Sequence, residues 1–69
     1  MAFPYQRRLR DLREDHDKTQ QDIADVLGTS QTRYARYERG ANELPLRHLL
    51  TLADYYGVSA DYLLGRSDK

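Results

Sequence analysis

Residues 19–40 constrain this chain most: start signals, stop signals and apolar spacing together call for two short helices joined by a tight turn. Thr19 can cap a helix with its hydroxyl, and Asp22, three residues on, completes a capping box with Asp in place of Glu. Ile23, Val26 and Leu27 then fall at helical spacing and make one apolar face, with Ala24 small enough on that side to let a second helix approach. Gly28 follows at once, and glycine accepts the left-handed backbone that ends a helix at no steric cost. Thr29 and Ser30 offer hydroxyls to start the next helix. Tyr34 and Tyr37, three apart, can anchor that helix inward, and Gly40 stops it.

That phase leaves Gln31, Thr32, Arg33 and Arg36 on the solvent side of the second helix. These side-chain types suit the major groove of duplex DNA. Gln pairs with adenine through two hydrogen bonds, Arg with guanine O6 and N7, and Thr meets base edges or the thymine methyl. A helical hairpin with a merely solvated polar face shares the same turn pattern. The residue types, more than the turn, point to nucleic acid.

Sixty-nine residues allow one domain, read as 1–69, with a small core that association would help to stabilise. With no cysteine there is neither a disulfide nor thiolate chemistry. No apolar run approaches the ~20 residues of a membrane span, and the N-terminal residues contain no signal-peptide core. The expected location is the cytoplasm. Eleven Lys and Arg balance eleven Asp and Glu, so nonspecific attraction to a polyanion is weak. Distribution matters more than the sum: residues 29–40 carry Arg33, Arg36 and Arg39 against Glu38 alone. The acids concentrate elsewhere, Asp68 among them.

The remainder reads as three more short helices and no strand. Around residues 5–16, Leu9 and Leu12 share a face that Tyr5 and Phe3 extend, and Arg and acidic residues alternate on the other side with pairs such as Arg7 and Asp11. Asp17 suits the end of this helix because Asp tolerates left-handed geometry. Pro45 fits the first turn of a fourth helix, whose apolar positions are Leu46, Leu49, Leu50, Leu52, Ala53 and Tyr56, ending at Gly57. Val58 and Ser59 restart the chain as staple and cap for a last helix with Tyr62, Leu63 and Leu64, stopped at Gly65, with a frayed tail through Lys69.

Taken together, Arg8–Arg13, Thr19-Gln20 with Ile23-Ala24, Leu27-Gly28, Tyr37-Glu38-Arg39-Gly40, Leu49-Leu50 with Leu52-Ala53, and Gly57-Val58-Ser59 with Asp61 and Leu63-Leu64 resemble the phage-repressor and Cro-like helix-turn-helix family, also called the XRE family. The likeness runs from about Arg8 to Leu64. It implies an all-α, compact five-helix bundle of the lambda-repressor-like type, with residues 19–39 as the reading unit. The third helix would lie in the major groove while the second crosses the backbone.

Carried over by position, the resemblance makes Gln31, Thr32 and Arg36 base-reading residues, with Arg33 between base edge and backbone. Gln20 would donate to a phosphate and support a base-reading side chain. Ser30, Arg39 and Asn42 would meet the backbone. Arg13 and Glu38 would form a largely buried salt bridge tying the first helix to the third, a structural role. The chain departs from the pattern at Asp17 and Lys18, where relatives often have Gly and an apolar residue; Lys18 is either a phosphate contact or a solvated cation. Pro45 occupies the usual cap of the fourth helix, so the start of that helix is open to displacement. Tyr34 and Tyr37 replace commoner aliphatic residues and need partners for their hydroxyls, which for Tyr37 include a phosphate.

The expected function is a transcriptional regulator, a repressor, that binds a pseudo-palindromic double-stranded operator as a homodimer at least on DNA. Tyr55, Tyr62, Leu63 and Leu64 exceed what so small a core can hide and are the expected dimer contact. The competing reading is a protein-interaction module or antitoxin component that keeps the fold without operator binding, which neutral net charge fits. An enzyme is not expected: His16 and His48 lie in different helices without neighbouring ligands, each read as solvated or capping, and there is no nucleophile elbow or phosphate loop. No catalytic residue, metal site, cofactor or small-molecule ligand is expected.

Overall fold

The computed structural model describes residues 5–67, so Phe3 and the tail residues Asp68 and Lys69 lie outside the described residues. Five helices follow in order: α1 (Tyr5–Asp15), α2 (Gln20–Leu27), α3 (Gln31–Arg39), α4 (Leu46–Tyr56) and α5 (Ala60–Leu63). No strand occurs among the described residues. The bundle is organised by one core to which every helix contributes a fully buried side chain: Leu9, Ile23, Tyr34, Leu52 and Leu63 in turn. Each of the four aliphatic burials stabilises the fold by about 1.5–3 kcal/mol.

The helix ends follow their capping residues. α1 closes at Asp17, whose φ of 56° is left-handed, and the Lys18 amide donates back to the Arg13 carbonyl at 3.0 Å. Thr19 caps α2 as expected: its hydroxyl accepts from the Asp22 amide at 3.1 Å, and the Asp22 carboxylate accepts from the Thr19 amide at 2.9 Å. That bond holds the Asp22 carboxyl below the usual carboxylate range. Gly28 at φ 69° ends α2, and Ser30 caps α3 by accepting from the Arg33 amide at 3.1 Å. Thr29 makes no such cap for α3; Ser30 fills that place.

Pro45 occupies the cap position of α4, as the resemblance implies, rather than the first turn, and it brings no side-chain cap; its carbonyl accepts from the His48 and Leu49 amides, each at 3.0 Å. α4 differs from the reading in its buried face. The apolar stripe is rotated. Leu49, Leu52, Ala53 and Tyr56 are buried, but Leu46 is 68% exposed and Leu50 50% exposed. His48 takes an inward place on the same stripe as Leu52 and Tyr56, with its ring 5.9 Å from that of Tyr37. His48 is therefore neither solvated nor capping. Burial, with Arg47 adding repulsion, lowers its pKa. His16 does remain at the surface; its ring nitrogen donates to the Leu12 carbonyl at 2.9 Å and the ring lies against Tyr56. Ser59 caps α5, accepting from the Tyr62 amide at 3.0 Å, and Val58 packs half-buried against the core.

Candidate nucleic-acid interface

The outer face of α3 is where the spacing puts it. Tyr34 and Tyr37 are buried, and that fixes the helix phase so that Gln31, Thr32, Arg33 and Arg36 are all exposed. Four polar side chains with both donors and acceptors therefore stand on one convex face, with Arg39 exposed at its C-terminal end. Ser30 is exposed at the N-terminal end; its oxygen is spent on the Arg33 amide, but its hydroxyl proton is still available to a phosphate. Asn42 is half-buried past the end of α3, its amide donating to the Arg36 carbonyl at 3.3 Å.

Behind this face runs a continuous set of polar bonds. Arg13 on α1 grips both oxygens of Glu38 on α3, with Nε to Oε2 at 2.7 Å and Nη2 to Oε1 at 3.2 Å. The two side chains are 14% and 5% exposed. This is the salt bridge the resemblance implies, and it spans from one helix to the other in the two-pronged geometry that makes Arg–carboxylate pairs strong. Burial alone would raise the Glu38 pKa; hydrogen bonding from Arg13 and Gln20 and the nearby Tyr34 hydroxyl outweigh it and hold the carboxyl below its ordinary value. Tyr34 itself makes no hydrogen bond of good geometry among the described residues, and burial pushes its pKa up. Glu38 also accepts from Gln20 Nε2 at 3.2 Å, and Gln20 Oε1 accepts from Gln31 Nε2 at 2.7 Å. Gln20 is thus committed on both sides within the protein. These two bonds use one of its amide protons and its carbonyl oxygen.

Arg13 also donates from Nη1 to the Lys18 carbonyl at 3.0 Å, which fixes the turn between α1 and α2 and sets Lys18, exposed, at the start of α2. A groove of about 330 Å³ between α1, α2 and α3 is lined by Arg10, Arg13, Gln20, Ala35, Glu38 and Arg39. Arg10 was not among the expected contacts, because sequence alone assigns it to a solvated face, and it does face Glu14 loosely at 3.7 Å. The signal for it was its place three residues before Arg13, on the stripe that faces α3.

The C-terminal set divides. Leu63 is 0% exposed and packs wholly within the chain's own core, so it cannot form a dimer contact; burying it is what anchors a four-residue helix to the core. Leu64 is half-buried against that core, as is Tyr62, whose ring carries the Arg8 guanidinium at 4.2 Å. Tyr55 is 40% exposed. No cluster of His, Cys, Asp and Glu able to hold a metal occurs among the described residues, and no helix there is long and apolar enough to cross a membrane.

Comparison with known proteins gives this geometry a context. A protein-family model described as helix-turn-helix matches residues 9–63. The chain is 41% identical over 64 residues to the uncharacterized HTH-type transcriptional regulator YobD of Bacillus subtilis, covering 93% of this chain and 57% of that protein. It is 33% identical over 61 residues to the cryptic phage CTXphi transcriptional repressor RstR of Vibrio cholerae, covering 88% and 55%. A solved transcriptional regulator from Listeria innocua superposes with a TM-score of 0.90 at 25% identity, covering all of this chain and 64% of that one. The chain spans about half the length of the curated relatives it matches.

Proposed function

The chain belongs to the helix-turn-helix family, whose members are DNA-binding transcriptional regulators rather than enzymes, and from that premise we propose that it is a sequence-specific repressor of the phage-repressor type. In this reading α3 lies in the major groove of a double-stranded operator and α2 crosses the backbone. Gln31, Thr32 and Arg36 read bases, and Arg33 sits between base edge and phosphate. The observation that carries the reading is the exposed quartet on α3 with Gln31 already held in place by Gln20.

Ser30, Arg39, Asn42 and Lys18 meet phosphates on this account, joined by Arg10 from the groove between α1 and α3. Gln20 keeps one amide proton for a phosphate, second to its support of Gln31. The name of the Vibrio relative supports repression over activation. A single unit covers few base pairs, so a homodimer on a pseudo-palindromic site, with half-sites about 34–36 Å apart, supplies the specificity. Tyr55 is the most accessible of the remaining contact residues, with Tyr62 and Leu64 beside it. The protein works where its operator is, in the cytoplasm.

The triple change of Gln31, Thr32 and Arg36 to Ala tests this. Gel-shift titration against duplexes that the native protein binds should show loss of all sequence preference, with residual weak binding that salt removes. Full retention of preferred binding by the triple variant would overturn the reading in favour of a protein-interaction module.

A further inference from the structure

The salt bridge between Arg13 and Glu38 is buried on the far side of Gln20 from the reading face, yet it is bonded to that face without a break. We propose that Glu38 is a positioning residue for base selection: it fixes which way round the Gln31 amide points. This rests on the reading of Gln31 as a base contact.

An ionised carboxylate accepts hydrogen bonds and donates none. Arg13 grips both Glu38 oxygens, which keeps the group ionised and unable to turn. Whatever touches Glu38 Oε1 next must therefore present an N–H, so Gln20 turns its nitrogen inward, at 3.2 Å. Its carbonyl oxygen is then the end that faces Gln31, and Gln31 must present an N–H to it, at 2.7 Å. One N–H and the carbonyl oxygen of Gln31 are left pointing outward. A donor beside an acceptor is the pattern that pairs with adenine, which offers N7 as acceptor and the N6 amino group as donor. With the opposite amide orientation, two carbonyl oxygens would confront one another. A neutral group at position 38 carries no such instruction, because an amide or hydroxyl accepts from or donates to Gln20 equally well. The residue that decides the outward polarity is thus bonded to the reading face through Gln20 and has no place on that face itself.

The test has an arm without DNA and an arm with it. In the uniformly labelled native protein, couplings across hydrogen bonds should link Gln20 Nε2 to the Glu38 carboxyl carbon and Gln31 Nε2 to the Gln20 side-chain carbonyl. A coupling from Gln20 Nε2 to the Gln31 carbonyl would mean the reverse polarity and would overturn the proposal. With duplexes carrying each of the four base pairs at the position Gln31 reads, Gln20→Met keeps the salt bridge and cuts the chain. Preference at that one pair should fall about tenfold, as for loss of one oriented base contact, while other positions keep theirs. Glu38→Gln, checked for folding by its melting curve, should give the same local loss. Undiminished preference in Gln20→Met sinks the proposal even if the Glu38 variant does not fold. Should Gln31→Ala leave every base pair unchanged while the couplings are present, the base-reading role fails and the proposal falls with it.

Discussion

The α2–α3 half and the α4–α5 half are held by different forces. In the first, side-chain polar bonds do most of the specifying: Thr19 and Ser30 cap both helices, and Arg13, Glu38, Gln20 and Gln31 are bonded in series to the exposed face of α3. In the second, α4 starts at Pro45 with no side-chain cap, and α5, capped by Ser59, is four residues anchored by burying Leu63. Its outer surface keeps Leu46, Leu50 and Tyr55 in solvent. Polar bonds have direction and set side-chain orientation, which the proposed reading surface needs. Apolar burial is non-directional and holds elements together, so the C-terminal half serves as a buttress.

The largest expected effects fall on both halves and separate their mechanisms. Arg13→Ala leaves Glu38 charged, buried and unpaired, and should cost about 3–5 kcal/mol in denaturant unfolding. Leu63→Ala should cost about 2–5 kcal/mol through its cavity. If Leu63→Ala instead leaves monomer stability intact and only weakens association, the assignment of Leu63 to the core is wrong. Removing one cap comes next: Thr19→Ala should lose about 1 kcal/mol.

A pH effect belongs to the C-terminal half. The folded state holds His48 with a lowered pKa, whereas in the unfolded chain it titrates near its ordinary value of about 6.5. Below that value the unfolded chain takes up the proton that the fold refuses, so stability falls as pH drops through about 6.5 and downward. Melting temperatures across pH 7.5 to about 5 should show this slope, and His48→Leu should flatten it. Glu38 and Asp22 have lowered pKa values, so their contribution is lost only at lower pH, below the ordinary carboxylate range. An unchanged slope in His48→Leu would place the titration elsewhere. The smallest effect is expected at the exposed leucines: Leu50→Ser should change stability by no more than about 0.5 kcal/mol.

The same contrast explains what was legible in the sequence. Caps and stops are local, so Thr19 with Asp22, Gly28, Ser30, Ser59 and the left-handed Asp17 could be read from neighbouring residues. The exposed quartet followed from the phase set by Tyr34 and Tyr37. On α4, hydrophobicity misled where phase would not have: positions 48, 52 and 56 share a stripe and face inward, while 46 and 50 share one with Asp54 and face water. His48 was missed because its letter is polar, and Leu63 was misplaced because a short helix hides more than its length suggests. The bond from Glu38 to Gln20 joins residues eighteen apart, and no local pattern announces it.

Selection of bound duplexes from a random pool at two salt concentrations tests whether the polar α3 face reads DNA sequence. One enriched inverted repeat is expected, with half-sites about one helical turn apart. For a neutral chain, enrichment is also expected to persist at the higher salt, since few counterions are released. Absence of any enriched sequence at either salt would contradict that role of α3.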